Sequence, residues 1–218
     1  MRTIAVIALK GGSGKTTVAT HLALAAHLRG VDTLLIDTDR QRSAQNVLAA
    51  RTEAGPACIV STGPKLMASQ FAAVGLGKRL LIVDTAAGAV EDVTEAIVLA
   101  DLALMIARPT LLDLAGLAPS LGIVRRLGKP GLVVMNQAPV PREEVEAPLV
   151  KRALRALDHM QAPVAPVILR SRAIYQTALE TGRSAEEMND PAAVKEIAAL
   201  WDYIDATLEM VADEAAEG

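Results

Sequence analysis

The chain has 218 residues, 51% of them hydrophobic and 22% charged, with a formal net charge of -3. That size suits one large domain with a sizeable core, and with aromatics at only 2% the core must be built from Ala, Leu, Val and Ile. The charge balance excludes nucleic-acid binding through overall charge, leaving only a local patch, and the lack of aromatics argues against a base-stacking single-strand binder. The lone cysteine, Cys58, rules out an intrachain disulfide and reads as a buried structural thiol in a reducing compartment. No apolar stretch is long enough to span a bilayer. A strand-like run stands at the start in place of a leader, so a cytoplasmic protein without a signal peptide is expected.

Strand-like runs at 3–9, 33–37, 57–61, 79–84, 102–108, 131–136 and 163–169 alternate with helix-like runs. The helices are expected near 15–29, 42–53, 64–76, 90–100, 111–128, 142–160, 171–181 and 191–212. Such alternation predicts an α/β fold: a three-layer, doubly wound, mostly parallel sheet with helices on both faces, as one domain over 1–218. Runs such as Leu80-Leu81-Ile82-Val83 and Leu132-Val133-Val134-Met135 are apolar throughout, as strands buried on both sides require. In these sheets ligands sit beyond the carboxyl ends of the strands, where the motifs fall.

The first strand leads into Lys10-Gly11-Gly12-Ser13-Gly14-Lys15-Thr16-Thr17 and then a helical pattern. Strand, glycine loop and helix make a phosphate cradle: glycines let the backbone N–H groups approach a polyphosphate, and the helix points its positive end at it. Lys15 can reach the β- and γ-phosphates, and the Thr16 hydroxyl can ligate Mg²⁺. The simplest P-loop pattern wants glycine where Leu9 stands, and a glycine turn with chance lysines is the competing reading. The second strand ends in Asp37-Thr38-Asp39-Arg40-Gln41. Two carboxylates at alternate positions suit Mg²⁺ and a polarised water, although alone such a pair is commonly a turn and helix cap. The run 79–84 ends at Asp84, which can join the Mg²⁺ shell through water, and Gly88 gives the following segment freedom. Farther on stand Thr110-Leu111-Leu112-Asp113-Leu114, with Thr110 a natural helix cap, and Asn136 at the end of a strand.

These motifs resemble the deviant Walker A ATPases of the ParA/MinD family. Lys10 matches the family's signature lysine, which reaches across a dimer to the partner's nucleotide. The resemblance implies that Gly11, Gly12, Ser13, Gly14, Lys15, Thr16 and Thr17 bind ATP. Thr16, Asp37 and Asp84 lie at Mg²⁺, Asp39 positions the attacking water, and Lys10 and Lys15 stabilise transferring charge. Arg40 replaces the family's proline, which leaves the shape of that switch segment open. Thr110–Leu114 matches a segment near the family's dimer interface. Asn136 matches the family's adenine-reading residue, and the end of run 163–169 should form the other wall of the base pocket. The stretch Arg170 to Arg183 resembles the segment around which ParA proteins bind DNA without sequence preference, with Arg170, Arg172, Arg183 and Lys195 as the matching residues.

The resemblance therefore implies a cytoplasmic, nucleoid-associated homodimer holding two ATP–Mg²⁺ complexes. It would bind non-specific double-stranded DNA and meet an adaptor protein that stimulates slow hydrolysis, so moving a plasmid, a chromosome locus or a protein cargo. It would lack the N-terminal DNA-reading extension of some relatives. The acidic end, Asp213-Glu214-Ala215-Ala216-Glu217-Gly218, argues against a membrane-binding tail. Lys151, Arg152 and Arg155, preceded by Glu143, Glu144 and Glu146, are expected to form an exposed helix face with internal ion pairs. Arg125 and Arg126 read as charge at a helix end, and Leu200, Trp201, Ile204 and Leu208 as the apolar stripe of the last helix. Alternatives are a metabolic P-loop enzyme resembling dethiobiotin synthetase and a protein-positioning switch that never touches DNA. A nitrogenase-iron-protein-like carrier is excluded, since its bridging cluster needs two cysteines per subunit.

Overall fold

In a computed structural model, which describes residues 1–63 and 65–217, six strands form one sheet in the order β3-β2-β4-β1-β5-β6. They are β1 (Arg2–Ile7), β2 (Thr33–Asp37), β3 (Ala57–Val60), β4 (Leu80–Asp84), β5 (Leu102–Ala107) and β6 (Gly131–Met135). Every pairing is parallel, as strands joined by helical crossovers require. β1, β2, β4 and β5 are apolar on successive residues because both faces are covered.

Helices α1 (Lys15–Leu28), α2 (Ser43–Ala49), α3 (Lys65–Gly75) and α4 (Val90–Leu99) are followed by α5 (Leu111–Arg126), α6 (Pro148–His159), α7 (Ile174–Glu180) and α8 (Pro191–Glu217). They divide between the two faces. One core gathers Val18, Leu22 and Ala26 of α1 with Leu200, Trp201, Ile204 and Leu208 of α8 against Ile4, Leu35 and Ile82, so the expected apolar stripe of the last helix is present. The other packs α3 to α6 against Ile7, Ile36, Val83 and Met105. The three-layer α/β reading holds.

The register puts the chemistry in one place. β1 lies between β4 and β5 at the centre, and Asp37 pairs in register with Asp84. The loop after β1 and the ends of β2 and β4 are therefore neighbours.

Several boundaries differ from expectation. The run 163–169 is not a regular seventh strand. It follows β6 through Val133 N–H to Pro163 O (2.7 Å), Ala165 N–H to Val133 O (2.9 Å) and Leu169 N–H to Met135 O (3.0 Å), but only isolated bridges form. Pro163 and Pro166 lack the N–H groups a ladder needs. The helix expected from 142 begins at Pro148, whose ring suits a first helical turn, while the helix expected over 42–53 stops at Ala49. Pro64 of the expected run 64–76, and Gly218 of the acidic end, lie outside the described residues. Among those described, no helix is long and apolar enough to cross a membrane.

Helix α1 is anchored by a buried imidazole. His21 is 1% exposed; its Nε2 donates to Tyr175 O (3.1 Å) and its Nδ1 accepts from Ala185 N–H (3.3 Å). Only the neutral ring with its proton on Nε2 makes both bonds. Burial pushes its pKa down to about 4, against smaller opposing pulls from Tyr175 O and Glu187. Below about pH 6.5 the unfolded chain takes up a proton that the folded chain refuses until about pH 4. Stability is thus highest above that interval and is lost as pH falls through it, by about 3 kcal/mol from this group. Denaturant titrations of wild type and His21→Gln between about pH 7 and about pH 4 should show a flatter pH dependence for the variant; parallel curves would remove His21 as the source.

Candidate nucleotide site

The loop between Ile7 and Lys15 turns on glycines in the left-handed region: Gly12 has φ 77° and Gly14 φ 91°. Gly14 is also the N-cap of α1. A Cβ there would collide with the Asn136 side-chain amide, which donates from Nδ2 to Ser13 O at 2.8 Å. Asn136, at the end of β6, thus holds the loop closed from the side, with Gln137 Nε2 near Gly12 O (3.5 Å).

Lys15 is only 7% exposed. Burial lowers its pKa, while the charges of Asp84 and Asp39 pull the other way. Asp84 is 1% exposed and its Oδ1 has no hydrogen-bond partner. Burial pushes its carboxyl up to about 7; Thr16 and Lys15 lower it, Asp37 and Asp39 raise it. Asp37, fully buried, accepts from Asp39 N–H on Oδ1 (2.9 Å) and Gln45 N–H on Oδ2 (3.1 Å). It therefore ties the end of β2 to α2, while Asp84 is the carboxylate with unfilled lone pairs. Asp39 Oδ1 accepts from Gln41 N–H (2.9 Å), and Arg40 is exposed. Asp84, the Thr16 hydroxyl and Asp37 could together hold a divalent cation. The orphaned buried oxygen of Asp84 fits that group, since a cation would satisfy what the protein leaves unpaired.

Two clefts flank the loop. One, of about 630 Å³, is lined by Thr38, Asp39, Arg40, Gln41, Ala86 and Ala87 among others. The other, of about 460 Å³, is lined by Thr17, Asn136, Gln137, Arg170, Arg172 and Gln176 among others. The second is where the sequence places the base, with the end of run 163–169 as a wall.

Lys10 lies on its own chain. Its Nζ is 3.4 Å from Oδ2 of Asp113, which is 5% exposed and also receives Arg108 (3.2 Å) and the Thr110 hydroxyl. Burial pushes the Asp113 carboxyl up, but Thr110, Arg108 and Lys10 together hold it below the usual range. The Thr110 side chain also caps α5 by accepting from Asp113 N–H, as expected. Cys58 is half-buried, and burial beside Asp37 and Asp84 pushes its thiol up to about 12, so it is inert.

The basic residues singled out near the C-terminus are mostly paired. Arg170 holds Glu146 with two bonds (2.9 and 2.7 Å), Arg172 holds Glu196 (3.0 and 2.7 Å), and Arg183 pairs with Glu53. Lys195 is exposed on α8. The partners were not readable from sequence. Glu196 also accepts from the Tyr175 hydroxyl (2.7 Å) and Arg170 N–H (2.9 Å). Arg51, its side chain 4% exposed, holds Glu187 (2.8 Å) and Gly182 O (3.0 Å). These contacts join residues 21 to 136 positions apart, and no local pattern signals them.

A parallel sheet whose central strand runs through a glycine loop into a helix, with carboxylates on the next two strands, is the architecture of a P-loop nucleoside-triphosphatase. The family model that matches is the CobQ/CobB/MinD/ParA nucleotide binding domain, over residues 4–193, and the chain belongs to that family. Solved structures with the same fold include the cell division ATPase MinD of Pyrococcus furiosus (20% identity, TM-score 0.74, covering 94% of this chain and 99% of that one). Apo McdA of Cyanothece gives 19% and 0.74 over 94% and 99%. A putative plasmid partition protein of Borrelia burgdorferi bound to AMPPNP gives 15% and 0.69 over 94% and 99%. Among curated proteins, a putative replication protein A of Rhizobium rhizogenes is 43% identical over 58 residues, a stretch that is 26% of this chain and only 14% of that protein.

The close fit at residue 14 sets a test. Gly14→Ala adds a Cβ against Asn136 in a conformation that also strains alanine. The variant should keep its far-ultraviolet circular dichroism and lose measurable ATP uptake in titration calorimetry. Unaltered uptake would show that the loop does not need this shape.

Proposed function

We propose that this chain is a partition or positioning ATPase that binds ATP with Mg²⁺, pairs with a second copy around two nucleotides, and hydrolyses ATP slowly until a partner protein stimulates it. The observation that carries the reading is the pairing of Lys15, buried directly after the glycine loop, with the buried, unpartnered oxygen of Asp84 at the end of the adjacent strand β4. Among the family's structures, McdA has been solved with ATP, MinD with Mg-ADP and MinD with MinC.

In this reading the N–H groups of Gly11, Gly12, Ser13 and Gly14 and the Lys15 ammonium hold the phosphates, with Thr17 beside them. Thr16, Asp37 and Asp84 hold Mg²⁺, which neutralises phosphate charge when bound. Asp39 orients the attacking water, and the base lies in the cleft beside Asn136. The amide nitrogen that Asn136 already gives to Ser13 makes it a support of the loop as well as a reader of the base.

Lys10 would leave Asp113 to reach the partner's γ-phosphate. That exchange is feasible because Asp113 keeps Arg108 and Thr110, so no buried carboxylate is stranded without a partner. A cation supplied in this way is worth ~10³–10⁵ in rate in arginine-finger systems. Non-specific duplex DNA belongs to the same reading. Arg170, Arg172 and Arg183 would reach phosphate only by exchanging their glutamates, whereas Lys195 is exposed.

Asp39→Ala should bind MgATP and form a dimer that light scattering detects, with turnover slower by roughly 10²-fold or more, the typical loss on removing a general base. Lys10→Ala should bind MgATP as a monomer. If the wild-type protein takes up no ATP in the presence of Mg²⁺, the reading fails at its root.

A further inference from the structure

Helix α6 has a cationic face that forms no ion pair with an acidic side chain among the described residues. The sequence pattern led us to expect Lys151, Arg152 and Arg155 to be neutralised by Glu143, Glu144 and Glu146. The fold separates these groups. Glu143 and Glu144 stand in the turn before the helix, at φ 49° and 63°. Glu146 gives both carboxylate oxygens to Arg170 and is only touched at longer range by Lys151. Among the described residues, Lys151, Arg152 and Arg155 form no ion pair, and all three are exposed.

The helix presents them together. Val150, Ala153 and Leu157 are its buried side. At about 100° per residue, Arg152, Arg155 and His159 point the opposite way, with Lys151 beside them and Asp158, the one acid of the helix, on the flank. At the far end Arg125 of α5 donates to Met160 O (2.6 Å) and Gln161 O (2.9 Å), adding another guanidinium at the last turn. From Arg152 to His159 the stripe runs about 10 Å, which equals the axial rise of about three base-pair steps of duplex DNA.

We propose that this face of α6 docks on the sugar-phosphate backbone of duplex DNA. The inference rests on the DNA-binding part of the function proposed above and not on its nucleotide chemistry. An anionic membrane is the other large polyanion, but a surface helix holds lipid through a free apolar face, and that of α6 is locked in the core. A protein partner would need an apolar or aromatic anchor at the centre of the contact, and the stripe has none. Exposed, unpaired cations on a stable helix, in a chain of net charge -3, suit a repeating phosphate surface read without regard to base. They also need no ion pair to open, unlike Arg170, Arg172 and Arg183. Two copies around two nucleotides would carry two such faces, which couples DNA retention to dimer formation.

The test compares full-length wild type with the triple variant Lys151→Gln, Arg152→Gln, Arg155→Gln, using fluorescence anisotropy of a random-sequence duplex with MgATP across a salt series. Loss of three phosphate contacts from each protomer should weaken binding by roughly tenfold or more at about 0.1 M salt and reduce the slope of log affinity against log salt by about 2 to 3 for each face that engages the duplex. Arg152→Lys with Arg155→Lys keeps the charge and should retain binding, which separates electrostatics from misfolding. MgATP uptake by calorimetry should be the same in all variants and reports on the nucleotide reading separately. An unchanged salt slope in the triple variant overturns the proposal. So does a wild type that takes up MgATP but ignores the duplex, or one that instead co-sediments with phosphatidylglycerol vesicles through these residues.

Discussion

Burying carboxylates at the ends of adjacent parallel strands is the constraint around which this molecule is arranged. Asp37 and Asp84 are in register, almost without solvent, in a sheet covered on both faces. Two such charges repel, and each lacks its hydration shell. The protein resolves the problem unequally. Asp37 is satisfied by backbone N–H groups, which makes it the hinge pin between β2 and α2. Asp84 is left with an open oxygen, a raised pKa, and Lys15 nearby. Asp84 is therefore the point at which a cation would satisfy what the protein leaves unpaired.

The same reasoning explains why so much of the C-terminal third is tied by ion pairs. The segment after β6 is irregular, because prolines in run 163–169 deny it a full ladder. Glu196 compensates by gathering Arg170 N–H, the Arg172 guanidinium and the Tyr175 hydroxyl, and Glu146 fixes the Arg170 side chain. Arg51 and Glu187 do the same between α2 and the turn after α7. Gly182 there sits so close to the Arg51 backbone that a side chain would not fit. These pairs are partly buried, so breaking one partner costs more than the pair contributes. The walls of the cleft beside Asn136 are therefore set by long-range electrostatics more than by secondary structure.

Much of this was legible in the sequence where the signal is local. Uninterrupted apolar strands gave the layered sheet, and Gly11 to Thr16 with Asp37 and Asp84 gave the neighbourhood of the site, because both rest on spacing along a few residues. What stayed hidden depends on distance. That Asp113 holds Lys10 and Arg108, that Asn136 clamps the phosphate loop, and that Arg170 and Arg172 are spoken for by glutamates follow only from how crossovers stack the elements. The acidic and basic residues around α6 show the hazard in reverse: their spacing suggested helical ion pairs, but the helix begins too late for Glu143, Glu144 and Glu146 to share its face.

Arg40 offers the sharpest view of how the switch segment is built. A proline at that position would fix one backbone angle and remove one donor. Here the turn is instead written by side chains: Asp37 accepts from Asp39 N–H, Asp39 accepts from Gln41 N–H, Asp39 O accepts from Arg42 N–H, and Arg42 takes φ 55° to start α2. Among the described residues, no hydrogen bond uses the Arg40 N–H. The turn thus satisfies itself without that donor, and replacing proline by arginine leaves its bonding pattern intact while making the unfolded chain more flexible. One oxygen of Asp39 is held by the turn itself, so the orientation of its other oxygen is set before any ligand arrives. Preorganisation of that kind is supplied here by carboxylates in place of a pyrrolidine ring, and under the function proposed above it would let Asp39 aim a water molecule.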